Sequence, residues 1–108
     1  MFYAECELET RFGRIRKSEQ NLPNFLADVM RLETESDCSL LNTGTIRSDF
    51  VFQRGIMKLG DIRLMLPYGG DLILKVELTG EQLVKVLENG VSKYPALEGR
   101  WPAVCFYC

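Results

Sequence analysis

The sequence predicts an α+β domain, with helices packed on a mixed or antiparallel sheet. Three observations carry that prediction. Leu22, Phe25, Leu26, Val29 and Met30 recur at the spacing of one helical face. Leu72, Leu74, Val76 and Leu78 alternate with Lys75 and Glu77, the period of a half-buried strand. The remaining apolar runs are short and broken by polar positions, unlike the continuous runs of a doubly wound parallel sheet. With 108 residues, 46% apolar and 26% charged, the chain has the size and composition of one globular domain with one modest core.

Residues 1–10 read as a polar lead-in and residues 11–108 as the domain. Phe12-Gly13-Arg14-Ile15-Arg16 reads as a short strand, anchored by Phe12 and Ile15, with Arg14 and Arg16 on the other face. In the helix that follows, Asn21 stands where an N-cap belongs, and Pro23 takes an early position that needs no N–H. The helix fades into the polar stretch Glu33-Thr34-Glu35-Ser36-Asp37. Leu40-Leu41-Asn42-Thr43-Gly44-Thr45-Ile46-Arg47-Ser48 opens like a buried strand and passes into turn residues. It then presents an arginine, whose charge is permanent and whose donors form a planar fork. A rigid strand delivering a polar loop and an arginine is one way to present a ligand-binding group; an ordinary turn with a solvated charge has the same sequence.

Phe50, Val51 and Phe52 are expected to pack back on the core, and Gly55 to mark a turn. Leu59–Leu66 reads as a short helix that Pro67 ends. Tyr68-Gly69-Gly70-Asp71 is a second polar loop. Tyr68 is either a core side chain, the commoner fate of such a residue, or a flat face offered to a ligand. Thr79-Gly80-Glu81-Gln82 has the pattern of a capping box. It opens a helix through about Ser92, with Leu83, Val84, Leu87 and Val91 towards the core and Gly90 weakening its end. Trp101–Cys108 begins like another strand and stops within an apolar run, as a truncated strand does.

Charge and composition exclude several classes. The net charge is -2, and acids and bases are interspersed, so no basic stripe points to nucleic acid. No apolar run is long enough for a membrane segment. Met1–Glu7 has neither the basic start nor the apolar stretch of a signal peptide, so the chain as given carries no export instruction, and its compartment stays open. There is no histidine, which rules out a Ser-His-Asp triad, a Cys-His pair or a His-bearing metal site made by these residues alone. Cys6, Cys38, Cys105 and Cys108 permit two disulfides in three pairings. Cys105-Phe106-Tyr107-Cys108 has CxxC spacing without the flanks of a redox helix. Cys38 reads as a small buried hydrophobe. Nothing in the spacing of Asp28, Asp37, Asp49 and Asp61 favours a metal site over solvated surface charge.

Several stretches together carry a family resemblance. Ile15–Met30, with Glu19-Gln20-Asn21-Leu22-Pro23-Asn24-Phe25 and Ala27-Asp28 inside it, resembles the E-x-N-x-G-N-L…A-D-x-M motif that begins the C-terminal domain of the 5'-nucleotidases. Asn42-Thr43-Gly44-Thr45-Ile46-Arg47 resembles that family's N-G-G-G-I-R, and Leu66-Pro67-Tyr68-Gly69-Gly70 its L-P-F-G-G. Leu78–Leu83 and Leu87–Val91 resemble the strand and helix that come next. The motifs share one register over about Arg11 to Pro102, which makes the match specific.

The resemblance implies the substrate-binding part of a metallophosphoesterase that releases phosphate from nucleoside monophosphates or related esters. By that resemblance Arg16 binds substrate, Asn42 and Arg47 contact the phosphate and ribose end, and Tyr68 stacks on the base. Gly44 and Gly69 would let the backbone approach the ligand. Two divalent metal ions are implied in an N-terminal catalytic domain, and no cofactor is expected on this chain. The implied partners are a nucleotide or other phosphate ester and that catalytic domain. The isolated chain is therefore expected to be inactive. A non-catalytic interaction or remnant module of the same fold is the alternative. Pro23, Phe25, Thr43, Thr45 and Tyr68 depart from the family pattern, and the family's second stacking aromatic lies beyond the matched stretch.

Overall fold

Side chains from across the first 65 residues meet in one small core: Ala4, Ile15, Leu22, Ile46, Phe52, Met57 and Met65. They come together in a computed structural model that describes residues 1–106. Leu8, Phe12, Leu26, Ile62 and Leu66 pack around them. Strand β1 (Phe2–Ala4) pairs antiparallel with β5 (Gly55–Met57), and β2 (Leu8–Glu9) with β4 (Val51–Phe52). The first ten residues are thus built into the fold rather than forming a lead-in. Ala4 and Thr10 are buried. Strands of two and three residues are too short to display an alternation, which is why the sequence pattern does not reveal them.

Phe12–Ile15 forms a helical turn, α1, not the expected strand. The spacing explains the change. Residues three apart fall on opposite faces of a strand but on one face of a helix. Only the helical turn brings both Phe12 and Ile15 to the core.

Helix α2 (Asn21–Thr34) forms where the periodicity placed it, with Pro23 in its first turn. Asn21 begins the helix instead of capping it from outside. Its Oδ1 accepts from the N–H of Leu22 (2.8 Å) and of Glu9 (3.1 Å), and its Nδ2 donates to the carbonyl of Glu7 (2.6 Å). The buried face is Leu22, Pro23 and Ala27, while Phe25 and Val29 are exposed. That face lies on β3 (Cys38–Asn42) and β6 (Pro102–Phe106), an antiparallel pair running from Cys38↔Phe106 to Asn42↔Pro102. The Ser39 hydroxyl donates to the Ala27 carbonyl and pins the helix to the strand. The apolar tail therefore is a strand, as expected, through Phe106; Cys108 and the rest of the CxxC spacing lie outside the described residues. Cys6, Cys38 and Cys105 are free thiols, and Cys38 is half-buried.

Helix α3 (Leu59–Met65) follows β5, and the Lys58 N–H donates to Asp61 Oδ2 at its start (2.7 Å). Helix α4 (Gly80–Val91) opens on the expected capping box: Gln82 N–H donates to Thr79 Oγ1 (3.2 Å) and Thr79 N–H to Gln82 Oε1 (2.8 Å). Its apolar face is not buried as expected. Leu83 and Leu87 are half-buried, but Val84 is exposed. Residues 72–78, the clearest strand in the sequence, adopt no regular structure and are exposed throughout. A strand exists only through a hydrogen-bonded neighbour, and none of the described residues supplies one here.

Glu35 closes α2 in the left-handed region, at φ 50. Glu35→Gly is expected to raise stability by about 0.5–1 kcal/mol, read from thermal unfolding, because glycine has no Cβ to clash there. Glu9 is bound by the Arg11 guanidinium at 2.6 Å, and that hydrogen bond holds its carboxyl below the ordinary 4.5. The folded pKa is depressed, so this stability is present above pH 4.5 and fades as acid titrates the folded carboxylate. Between about pH 5 and 3, Glu9→Gln is expected to flatten the fall in Tm.

Candidate functional site

Each of two arginines follows a fully buried isoleucine. Ile15 and Ile46 are both 0% exposed and share one core. Their burial fixes the backbone positions from which Arg16 and Arg47 project. Both guanidinium groups reach the same ring: the Cζ of Arg16 lies 4.1 Å and that of Arg47 5.4 Å from the Phe12 ring centroid. These are cation–π distances, each contact contributing ~0.5–1 kcal/mol at a partly exposed site. In the sequence Phe12 is visible only as an apolar anchor. Its second role, as the surface against which two arginines are gathered, depends on the helical turn that no alternation could reveal.

A clasp of hydrogen bonds holds the Arg47 loop. Thr10 is buried, and its hydroxyl accepts from the Ser48 hydroxyl (2.8 Å) and the Phe50 N–H (3.2 Å) while donating to the Phe50 carbonyl. The Thr10 N–H also donates to the Phe50 carbonyl (3.2 Å). Asp49 sits in the left-handed region at φ 55, and its Oδ1 accepts the Phe12 N–H at 2.7 Å. The Arg47 N–H donates to the Met65 carbonyl (2.9 Å), tying this loop to the end of α3 just before Tyr68. Thr10 and Asp49 are not among the expected site residues. A buried threonine and an aspartate at positive φ leave no periodic signal.

The electrostatics of the pair are those of two like charges held close together. Burial disfavours the charged form of Arg16, the neighbouring charge of Arg47 adds to that effect, and Asp49 opposes it. Arg16 Nε is buried without a hydrogen-bond partner. Two guanidinium groups, opposed by the single Asp49 carboxylate, leave net positive charge and an unused donor. A phosphate group relieves both, since its oxygens match the guanidinium fork.

The other expected positions fall into two groups. Asn42 ends β3, is exposed, and accepts from the Thr45 hydroxyl at 3.3 Å through Oδ1. Tyr68 is 52% exposed, so it is not a core side chain, the commoner expectation. Gly69 has open space around it. Gly44 is different: its N–H donates to the Gly99 carbonyl (2.8 Å), and an added Cβ would meet Gly99 Cα at 2.7 Å. Close approach of two backbones already requires glycine there. Thr43 is buried and its N–H donates to the Trp101 carbonyl (2.9 Å), so this departure from the family loop fills the interior. Among the described residues no group of three His, Cys, Asp or Glu side chains could hold a metal ion, and no helix is long and apolar enough to cross a membrane.

Residues 4–105 match the family described as 5'-nucleotidase, C-terminal domain. The solved 5'-nucleotidase precursor from Thermus thermophilus is similar over 95% of this chain, with 30% identity and a TM-score of 0.87. The trifunctional nucleotide phosphoesterase protein YfkN of Bacillus subtilis (strain 168) is 30% identical over 106 residues, 94% of this chain. The endonuclease YhcR of the same organism is 27% identical over 88 residues, 82% of this chain. The chain spans 7% of the length of each of these two relatives and 20% of the solved chain.

Gly44→Ala and Gly99→Ala are each expected to destabilise the domain by about 1–3 kcal/mol or more, because backbone rather than a movable side chain blocks the new methyl group. Gly69→Ala, in open space, is the control and is expected to leave the unfolding midpoint nearly unchanged. Urea denaturation of the three variants reads the difference.

Proposed function

Because this chain belongs to the 5'-nucleotidase C-terminal domain family, we propose that it is the substrate-holding part of a nucleotide phosphoesterase. Arg16 and Arg47 take the phosphate end, with Asn42 beside them on the ribose side. Tyr68 offers its exposed ring to the base, and Gly69 keeps the backbone beside it open. The observation that carries this reading is the convergence of Arg16 and Arg47 on the Phe12 ring, with one guanidinium nitrogen buried and unpartnered.

The chemistry assigned to these residues is binding and orientation. Two-metal phosphoester hydrolysis draws on ligands that clamp the attacking and leaving oxygens. The described residues offer no such set. On this reading the bond-breaking groups belong to a separate catalytic domain, and no step of hydrolysis is assigned to Arg16, Asn42, Arg47 or Tyr68. Their contribution is a fixed geometry for the ester, which makes the reaction effectively unimolecular once the catalytic groups meet it.

Calorimetric titration with adenosine monophosphate and with inorganic phosphate tests the assignment. Arg47→Ala and Arg16→Ala are expected to weaken both ligands about tenfold or more, the loss of a charge-assisted hydrogen bond. Tyr68→Ala is expected to weaken the nucleotide by a similar factor and leave phosphate unchanged, since stacking contributes ~1–3 kcal/mol per base. The purified chain is expected to release no phosphate from the nucleotide with added zinc, manganese or magnesium. Absence of binding by a folded wild-type chain would instead support a non-catalytic interaction module.

A further inference from the structure

We propose that Asp49 is a positioning residue for the arginine pair: by accepting the Phe12 N–H it ties the Arg47 loop to the Arg16 turn and holds the two guanidinium groups together. Its consequence for ligand binding rests on the reading of Arg16 and Arg47 as the phosphate end. The backbone around Asp49 is set from both sides by one buried atom. Thr10 Oγ1 accepts from the Ser48 hydroxyl (2.8 Å) and from the Phe50 N–H (3.2 Å), the residues that flank Asp49. Between these two fixed neighbours Asp49 adopts the left-handed region, at φ 55. Most side chains are disfavoured there, and aspartate and asparagine are among the few tolerated. From that position Oδ1 accepts the Phe12 N–H at 2.7 Å, a charge-assisted bond between residues 37 positions apart.

Phe12 passes the constraint on to both arginines. Its carbonyl accepts the Arg16 N–H (3.3 Å), and its ring lies 4.1 Å from the Arg16 Cζ and 5.4 Å from the Arg47 Cζ. Arg11, which precedes the turn, makes no side-chain capping bond, so the acceptor for Phe12 comes from the Arg47 loop instead. One carboxylate therefore reaches Arg47 through the chain and Arg16 through Phe12. Neither link is part of the arginines themselves, so the pair is built as one unit rather than as two separate surface charges.

The carboxylate also acts as a charge. Asp49 favours the charged form of Arg16, whereas the neighbouring Arg47 disfavours it. The two roles have opposite consequences for phosphate. A negative charge beside the site competes with an anion, so any neutral replacement of Asp49 strengthens binding. A positioning acceptor is replaced only by a residue that keeps the oxygen. Asparagine keeps that oxygen and the tolerance of the left-handed region while losing the charge. Glycine suits the same φ but has no acceptor, so it removes the bond without straining the backbone.

The test compares Asp49→Asn with Asp49→Gly by calorimetric titration with inorganic phosphate at one ionic strength. Asp49→Asn is expected to bind phosphate as tightly as the wild type or up to about threefold more tightly. Asp49→Gly is expected to bind about tenfold more weakly. A second measurement needs no ligand. Protons above an aromatic face resonate upfield, so nuclear magnetic resonance of the Arg16 and Arg47 side chains reads their place over Phe12. Those resonances are expected upfield in the wild type and in Asp49→Asn. Phe12→Leu supplies the reference without a ring, and Asp49→Gly is expected to move towards it with an unchanged circular dichroism spectrum. Equal strengthening in both Asp49 variants overturns the proposal by reducing Asp49 to a neighbouring charge. Arginine resonances unmoved in Asp49→Gly, or lost from the ring in a folded Asp49→Asn, also overturn it. A wild-type chain that binds no phosphate, with arginine resonances that follow Asp49 as expected, removes the phosphate reading and leaves the positioning role standing.

Discussion

The site depends on two isoleucines sharing one core. Ile15 and Ile46 are separated by all of α2 and β3, yet both are fully buried in the same cluster. Burying a side chain of that size contributes ~1.5–3 kcal/mol, enough to fix where the following residue begins. Arg16 and Arg47 therefore leave the core at the same rim, and Phe12 fills the space beneath them. Two like charges do not gather unaided. Hydrophobic burial holds their backbones, and the Thr10 and Asp49 hydrogen bonds hold the loop and the ring in register.

A second constraint lies behind the loop. Thr43 and Gly44 donate to the carbonyls of Trp101 and Gly99, extending the β3–β6 ladder past the end of the strands. The chain closes on itself so tightly at Gly44 and Gly99 that each excludes a Cβ on the other. The geometry of the arginine loop thus rests on residues far apart in sequence. Gly90 makes a similar contact with the Pro102 ring, where an added Cβ would lie 3.0 Å from Cδ. This anchors the end of α4 beside β6, while its outer apolar face is left uncovered.

The two halves of the molecule accordingly differ in character. The elements up to Met65 share a core, whereas residues 72–78 and most of α4 carry apolar side chains that remain exposed.

The sequence by itself determined the elements with strong local signals: the periodic helix over Asn21–Thr34, the capping box at Thr79, the helix before Pro67, and an apolar strand leading to Arg47. Helical periodicity and end-capping are short-range effects, so they are written in adjacent residues. The family motifs singled out Arg16, Asn42, Arg47 and Tyr68 by the same local means. Only the tertiary structure decided that Phe12–Ile15 is a helical turn, that Thr10 is a hub rather than part of a lead-in, and that Gly44 is reserved for Gly99. It also decided that residues 72–78 form no ladder among the described residues. Each of these turns on a partner many residues away, and a strand, a clasp or a backbone contact is a property of the pair rather than of either sequence segment.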